Sequence, residues 1–145
     1  MRITLEESAA CIEPEVVIRC READEPVRRI LSAIRLASGK LIGRLDAENC
    51  VLNAEDVYYF EAVDGRVFLY TEKKVYETPL RLYEIEARFE DSDFFRASKS
   101  IVANLARIES VRAAFNGRFE ARLQNGEWII ISRQYVPALK KKLGL

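Results

Sequence analysis

Five consecutive residues, Arg96-Ala97-Ser98-Lys99-Ser100, place two cationic and two hydroxyl side chains between the apolar pairs Phe94-Phe95 and Ile101-Val102. An ammonium such as that of Lys99 can donate to O6 and N7 on a guanine edge, and serine hydroxyls can donate to phosphate oxygens at short range. Apolar anchors on both sides would hold the backbone of Arg96 to Ser100, so little conformational entropy remains to be lost on recognition. The same five residues would also make an ordinary solvated turn, and Arg96 divides between an internal ion pair and a phosphate contact. Company for them comes from residues 131–143, ISRQYVPALKKKL. There Arg133 follows an apolar strand and sits beside the start of a helix, where backbone N–H groups favour an anion. Lys140, Lys141 and Lys142 fall in the last turns of that helix and have a simpler role in opposing its dipole.

The bulk composition narrows the chemistry. At 145 residues and 49% hydrophobic content the chain can bury a core and fits one compact unit with a small appended segment. Histidine is absent, and Cys11, Cys20 and Cys50 lack paired spacing. That disfavours a zinc site, a nucleophilic dyad or a structural disulfide, so no cofactor, no metal and no enzymatic activity are expected. No apolar run is long enough to span a bilayer, and the N-terminus is acidic where a secretory signal would be basic, which points to the cytoplasm. Net charge is zero, yet residues 1–90 carry 18 acidic and 13 basic side chains while residues 91–145 carry 5 acidic and 10 basic. The chain is polarised, and its basic part suits a polyanion.

Positioning these residues requires a largely β scaffold. Residues 2–6 and 15–19 have strand character, the second through Val16, Val17 and Ile18. Asp24 and Pro26 open an amphipathic helix with Val27, Ile30, Leu31 and Ile34 on one stripe and Arg28, Arg29 and Arg35 on the solvated face, ended by Gly39. Strands follow at Lys40–Leu45, Val51–Leu52, Val57–Val63, Val67–Thr71 and Lys74–Glu77, with a tight turn at Asp64-Gly65 that leaves Arg66 at its tip. A second helix should start at Thr78 and Pro79, threonine as its cap, and run to about Asp91. Strands at 108–115, 118–123 and 127–131 are joined by Asn116-Gly117 and Asn125-Gly126, the strongest short hairpin signals. The last strand reads as buried on both faces, Trp128 and Tyr135 as core, and Asn104 as a structural residue in a turn. Ser132 would cap the C-terminal helix, which begins near Pro137 and ends near Gly144.

In this order the features resemble the LytTR family of bacterial DNA-binding domains over about Leu41 to Leu143, or residues 41–145 as a domain. DVYYFEAVDGRVFLYT is similar to the family's leading strand pair and TPLRLYEIEARF to its central helix. FFRASKSIVANLARIESV is similar to its signature and NGRFEARLQNGEWIIISRQY to its closing hairpins. The resemblance implies an α+β, β-rich, elongated and mostly antiparallel fold that enters successive major grooves of double-stranded DNA through loops. By position it implies base contacts from Lys99, where several members have Asn or Arg, and from Arg133, with Arg66 as the match for a third contact. Ser98 stands where many members carry histidine. Ser98, Ser100 and Arg96 complete the expected DNA-binding set.

Residues 1–40 form an expected ββα extension, too short for the phosphorylatable receiver domain that most members carry. The resemblance therefore points to the short, stand-alone members, which bind paired direct repeats as two protomers and in some cases answer to a membrane-protein regulator. The helix at 25–37 is the expected self-association or partner surface. The reading is thus a sequence-specific transcriptional regulator. Its rival is a protein-interaction module that kept the fold and lost DNA binding. Convergence of Arg66, Lys99 and Arg133 on one face separates the two.

Overall fold

The computed structural model describes residues 1–145, except the side chains of Ser32, Arg35, Leu36 and Ser38. The place of Arg35 on a solvated face thus lies outside the described residues. Residues 1–24 form neither helix nor strand, so the strands expected at 2–6 and 15–19 are absent and the ββα beginning reduces to its helix. A β-branched run supplies propensity, but a strand also needs a neighbouring edge for its backbone hydrogen bonds. Without one, Val16 and Val17 stay more than half exposed. Helix α1, Glu25–Ser38, starts where Asp24 Oδ1 accepts the Val27 N–H at 3.3 Å and stops before Gly39. It rests on the 54–56 turn, and Val27, Ile30, Leu31 and Ile34 are only half-buried there.

From Lys40 the chain is predominantly antiparallel sheet. Strands β1 (Lys40–Leu45), β2 (Glu48–Asn53), β3 (Tyr59–Val63), β4 (Arg66–Tyr70), β5 (Val75–Thr78), β6 (Phe94–Arg96) and β7 (Ile101–Asn104) form a seven-stranded sheet in the order β2-β1-β5-β4-β3-β7-β6. Strands β8 (Ile108–Ala113), β9 (Phe119–Leu123) and β10 (Trp128–Ile131) form a second sheet, ordered β10-β9-β8. Thr78 belongs to β5, opposite Val67, so the expected helix cap is a strand residue. Helix α2 instead spans Leu82–Arg88, with Arg81 as its cap and Glu84 reaching back to the Arg81 N–H at 3.1 Å. The C-terminal helix α3, Val136–Leu143, carries its proline in the first turn and ends on left-handed Gly144, as the sequence implies. Ser132 leads into a short 3-10 turn, 133–135, without a capping bond from its side chain.

The period of two along the strands explains why the middle of the large sheet is buried on both faces. Phe60, Phe94 and Val102 join Leu41, Leu69, Leu82, Ile85 and Phe89 in a core beneath α2, while the adjacent Tyr59, Phe95 and Ala103 point the other way. That opposite face meets Ala121, Leu123, Ile129 and Ile131 of the small sheet and Leu139 of α3. Strand β10 is buried on one face only: Trp128 and Ile130 are 46% and 51% exposed, contrary to the expected burial. The Trp128 ring instead lies 4.2 Å from the Arg112 guanidinium. Asn104 is fully buried and structural: its Nδ2 donates to Val57 O at 2.8 Å, and its Oδ1 accepts the Ala106 N–H at 3.0 Å.

A stacked tyrosine pair of the large sheet supplies a bond to the small one. The rings of Tyr59 and Tyr70 stack at 4.2 Å. The Tyr59 hydroxyl donates to Glu127 of the small sheet's last hairpin and the Tyr70 hydroxyl to Glu61, both at 3.1 Å. Burial, and then the Glu127 carboxylate, push the Tyr59 pKa well above the ordinary tyrosine value; burial and the bond to Glu61 raise that of Tyr70. An unfolded chain ionises these phenols first as pH climbs past about 10, so their contribution is intact below that pH and is lost above it. Wild type should lose urea stability between about pH 8 and pH 11, and Tyr59→Phe should lose less over the same interval. Parallel losses in the two proteins would show that Tyr59 is not the group responsible.

Candidate nucleic-acid interface

The polar residues between the Phe94-Phe95 and Ile101-Val102 anchors form the connection between β6 and β7, and the backbone fixes it from several sides. Ala97 N–H donates to Ile101 O at 2.9 Å, closing the turn, while Ala62 N–H of β3 donates to Ser100 O at 2.8 Å. Ser132 N–H, just after β10, donates to Ala97 O at 2.8 Å. Arg96 braces the loop from within: one guanidinium nitrogen meets Glu86 of α2 at 2.6 Å and the other donates to Lys99 O at 3.0 Å. Of its two expected roles, the ion pair is the one present here, and it shapes the loop. The Ser98 hydroxyl accepts the Ser100 N–H at 3.2 Å and lies 3.4 Å from the Ser100 hydroxyl, so both serines also help to hold the turn. Lys99 is the exposed residue of this turn.

Register brings the other expected residues to the same end. Glu61 pairs with Ile101 across β3 and β7, and Val63 pairs with Arg66 across β3 and β4. Arg66, Val63 and Lys99 therefore follow one another laterally, spanning two strand spacings or roughly 10 Å. The Asp64-Gly65 turn has both residues left-handed, φ 51° and 77°, as a tight twisted hairpin requires. Arg66 Nε is 3.8 Å from Glu77 in an exposed pair, which binds it only weakly. Arg133 enters from the second sheet, one residue after the Ser132 bond to Ala97.

A feature that sequence reading took only as a hairpin turn supports Arg133. Asn116 and Gly117 are left-handed, φ 60° and 74°, and the turn they make lies under the arginine stem. A Cβ added at Gly117 would sit 2.8 Å from Arg133 Cδ and 2.9 Å from Cγ. The signal in the sequence was the glycine itself, but its neighbour is distant in the chain.

Ion pairing then sorts the ten basic residues of the C-terminal part. Arg96, Arg107, Arg112 and Arg122 pair with Glu86, Asp56, Glu120 and Glu109. Lys142 donates to Ser92 O, and Lys140 lies over the Phe119 ring. Among the described residues, Lys99, Arg118, Arg133 and Lys141 keep side chains with no such partner. Three of these four belong to the converging loops, because Ile131 pairs with Phe119 and so brings Arg118 beside Ser132. The arrangement can meet a polyanion with rigidly mounted, unpaired cations. No two of the helices α1, α2 and α3 adjoin through a short turn, since strands separate them.

Comparison with known proteins bears on the fold and the family. The chain is 28% identical, over an alignment of 147 residues, to a protein of Staphylococcus aureus strain MSSA476 named an uncharacterized HTH-type transcriptional regulator. The alignment covers 100% of this chain and 99% of that protein. A similarly named protein of strain MRSA252 is 27% identical with the same coverage. The fold is similar to the LytTr DNA-binding domain of a protein described as a methyl-accepting/DNA response regulator from Bacillus cereus. That match has a TM-score of 0.71 at 21% identity and covers 74% of this chain and 99% of the other. The family model for the LytTr DNA-binding domain matches residues 47–144, and the chain, with this α+β, mostly antiparallel fold, belongs to the LytTR DNA-binding domain family.

Proposed function

We propose that the protein is a sequence-specific regulator of transcription that binds double-stranded DNA through loops set in the major groove. The observation that carries this reading is the sorting of charge: six of the ten basic residues of the C-terminal part are engaged by partners, four of them by carboxylates, while Lys99, Arg118 and Arg133 stand unpaired where the loops meet. In this mechanism Lys99 and Arg133 read base edges, Arg66 leaves its weak surface pair to contact the backbone, and the serines approach phosphate from a loop already ordered. Arg96 acts as a positioning residue. The family is a class of DNA-binding regulator domains rather than an enzyme class.

The N-terminal region, residues 1–40, would supply the surface on which two protomers meet on paired repeats. Ile3, Leu5 and Ile12 there are more than 80% exposed, and the apolar stripe of α1 is incompletely covered, both of which favour such a contact. No described helix is long and apolar enough to cross a membrane, consistent with action on DNA in the cytoplasm.

The experiment is selection of duplexes from a random pool by the wild-type chain, followed by fluorescence anisotropy on the selected duplex and a scrambled one. Tight, salt-sensitive binding to the first alone is expected; equal weak binding to both would favour the interaction-module reading. Arg133→Ala and Lys99→Ala should each lose about 1–3 kcal/mol and relax preference at one base position. Lys141→Ala should change mainly the salt slope, by about one unit at most. Undiminished affinity in Arg133→Ala would remove that residue from the interface.

A paired substitution tests whether Arg133 needs its floor. Gly117→Ala and Gly126→Ala both force a left-handed alanine, at φ 74° and 90°, and each should cost about 1–2 kcal/mol in denaturant melts. The added methyl meets Arg133 at position 117 and nothing within 4 Å at position 126. DNA affinity should therefore fall only in Gly117→Ala. Equal affinities in the two variants would mean that the arginine stem is free to relocate.

A further inference from the structure

The loop that supports Arg133 also presents a side chain that neither core uses. Phe115 is 85% exposed, the most exposed large apolar side chain among the described residues from Glu25 to Gly144. Single exposed apolar residues are common on protein surfaces, so exposure alone carries nothing. Its setting supplies the rest. Ala114 N–H donates to Arg118 O at 2.8 Å and Arg118 N–H to Phe115 O at 3.4 Å. Pairing therefore continues to Ala114, and Phe115 is left outside the ladder as the first residue of the loop. Asn116 and Gly117 then fold the chain back through left-handed conformations. The neighbouring aromatics of this sheet already have partners, Lys140 over Phe119 and Arg112 over Trp128. Phe115 has no ring or cation contact among the described residues.

Phe115 thus shares a turn with one unpaired cation, Arg118, and with the glycine on which a second, Arg133, rests. A ligand for that combination must offer negative charge for the guanidinium groups and an apolar group within a few ångströms of it. Duplex DNA offers both in its major groove, where the thymine C5-methyl projects beside purine edges and below the phosphates. We propose that Phe115 is a specificity-determining residue that packs against a thymine methyl next to the base contacted by Arg133. The proposal rests on the DNA-binding reading above and adds to it an apolar contact from the loop that carries Arg118.

The test replaces each thymine of the selected duplex in turn by uracil, which removes the methyl and leaves the hydrogen-bonding edge. Wild type should bind about 3- to 5-fold more weakly when one particular thymine is changed. In Phe115→Ala that substitution should have no effect, while the response to every other base change is kept. Phe115→Leu should retain part of the discrimination. Because the ring is solvated, the melting temperature of Phe115→Ala should match that of wild type, which separates lost contact from lost fold. The proposal is overturned if no thymine methyl matters to wild type, or if Phe115→Ala responds to uracil as wild type does. Should wild type select no duplex at all, the DNA reading falls and this contact with it. Should Arg133→Ala lose binding while Phe115→Ala stays indistinguishable from wild type, only the contact falls.

Discussion

The hydrogen bond from Ser132 N–H to Ala97 O, 2.8 Å long, joins two sheets at the point where each delivers a cation. Ala97 is fully buried in the second core, so this acceptor is out of water and would be costly to leave unpaired. The bond therefore fixes where β10 ends relative to the turn between β6 and β7, and with it the placement of Arg133 relative to Lys99. On the other side, the bond from Ala62 N–H to Ser100 O ties the same turn to the hairpin that carries Arg66. One short turn thus serves as the common reference for three loops, and a shift in any of them would break a backbone hydrogen bond.

The two cores make that reference rigid. Neighbouring residues along β3, β6 and β7 are buried on opposite faces, and a one-residue slip would exchange the residues meant for α2 with those meant for the small sheet. The Tyr59–Tyr70 stack and the Tyr59 bond to Glu127 add a specific link at the far hairpin of the small sheet. The small sheet is consequently held at both ends: by Ser132 near the loops and by Glu127 away from them.

Where the information was local, the sequence displayed it. The stripe and boundary residues of α1, the alternating strands, the left-handed turns at 64–65 and 116–117, and the turn bond of Asn104 to Ala106 could all be read from neighbours in the chain. What escaped reading depended on partners elsewhere. The β-branched residues 16–18 look like a strand until no edge receives them. Thr78 looks like a helix cap until Val67 claims it as a strand partner. Trp128 looks like core because its type is apolar, but strand alternation puts it on the outer face with Arg112. In the candidate site Lys99 and Arg133 were legible as types at marked positions. The assignment of Arg96 to Glu86, ten residues away on another element, and the seat of Arg133 on Gly117 required the fold.

Charge shows the same dependence on partners. A chain with zero net charge generates little long-range field to draw in a polyanion, so a reading based on bulk charge alone would discount DNA. Pairing changes the question from how many cations exist to which are spent. Arg112 and Arg122 are neutralised across the strands of the small sheet by Glu120 and Glu109, and surface pairs of this kind contribute little stability. Their more consequential effect is subtractive: they leave the flat of the sheet nearly neutral and confine the unpaired positive charge largely to its loop end. Non-specific electrostatic attraction is thereby limited, and affinity must come from a few short-range contacts that depend on base identity and geometry. Those contacts are made from a turn whose backbone is already ordered, so little of their free energy is spent on ordering the loop itself.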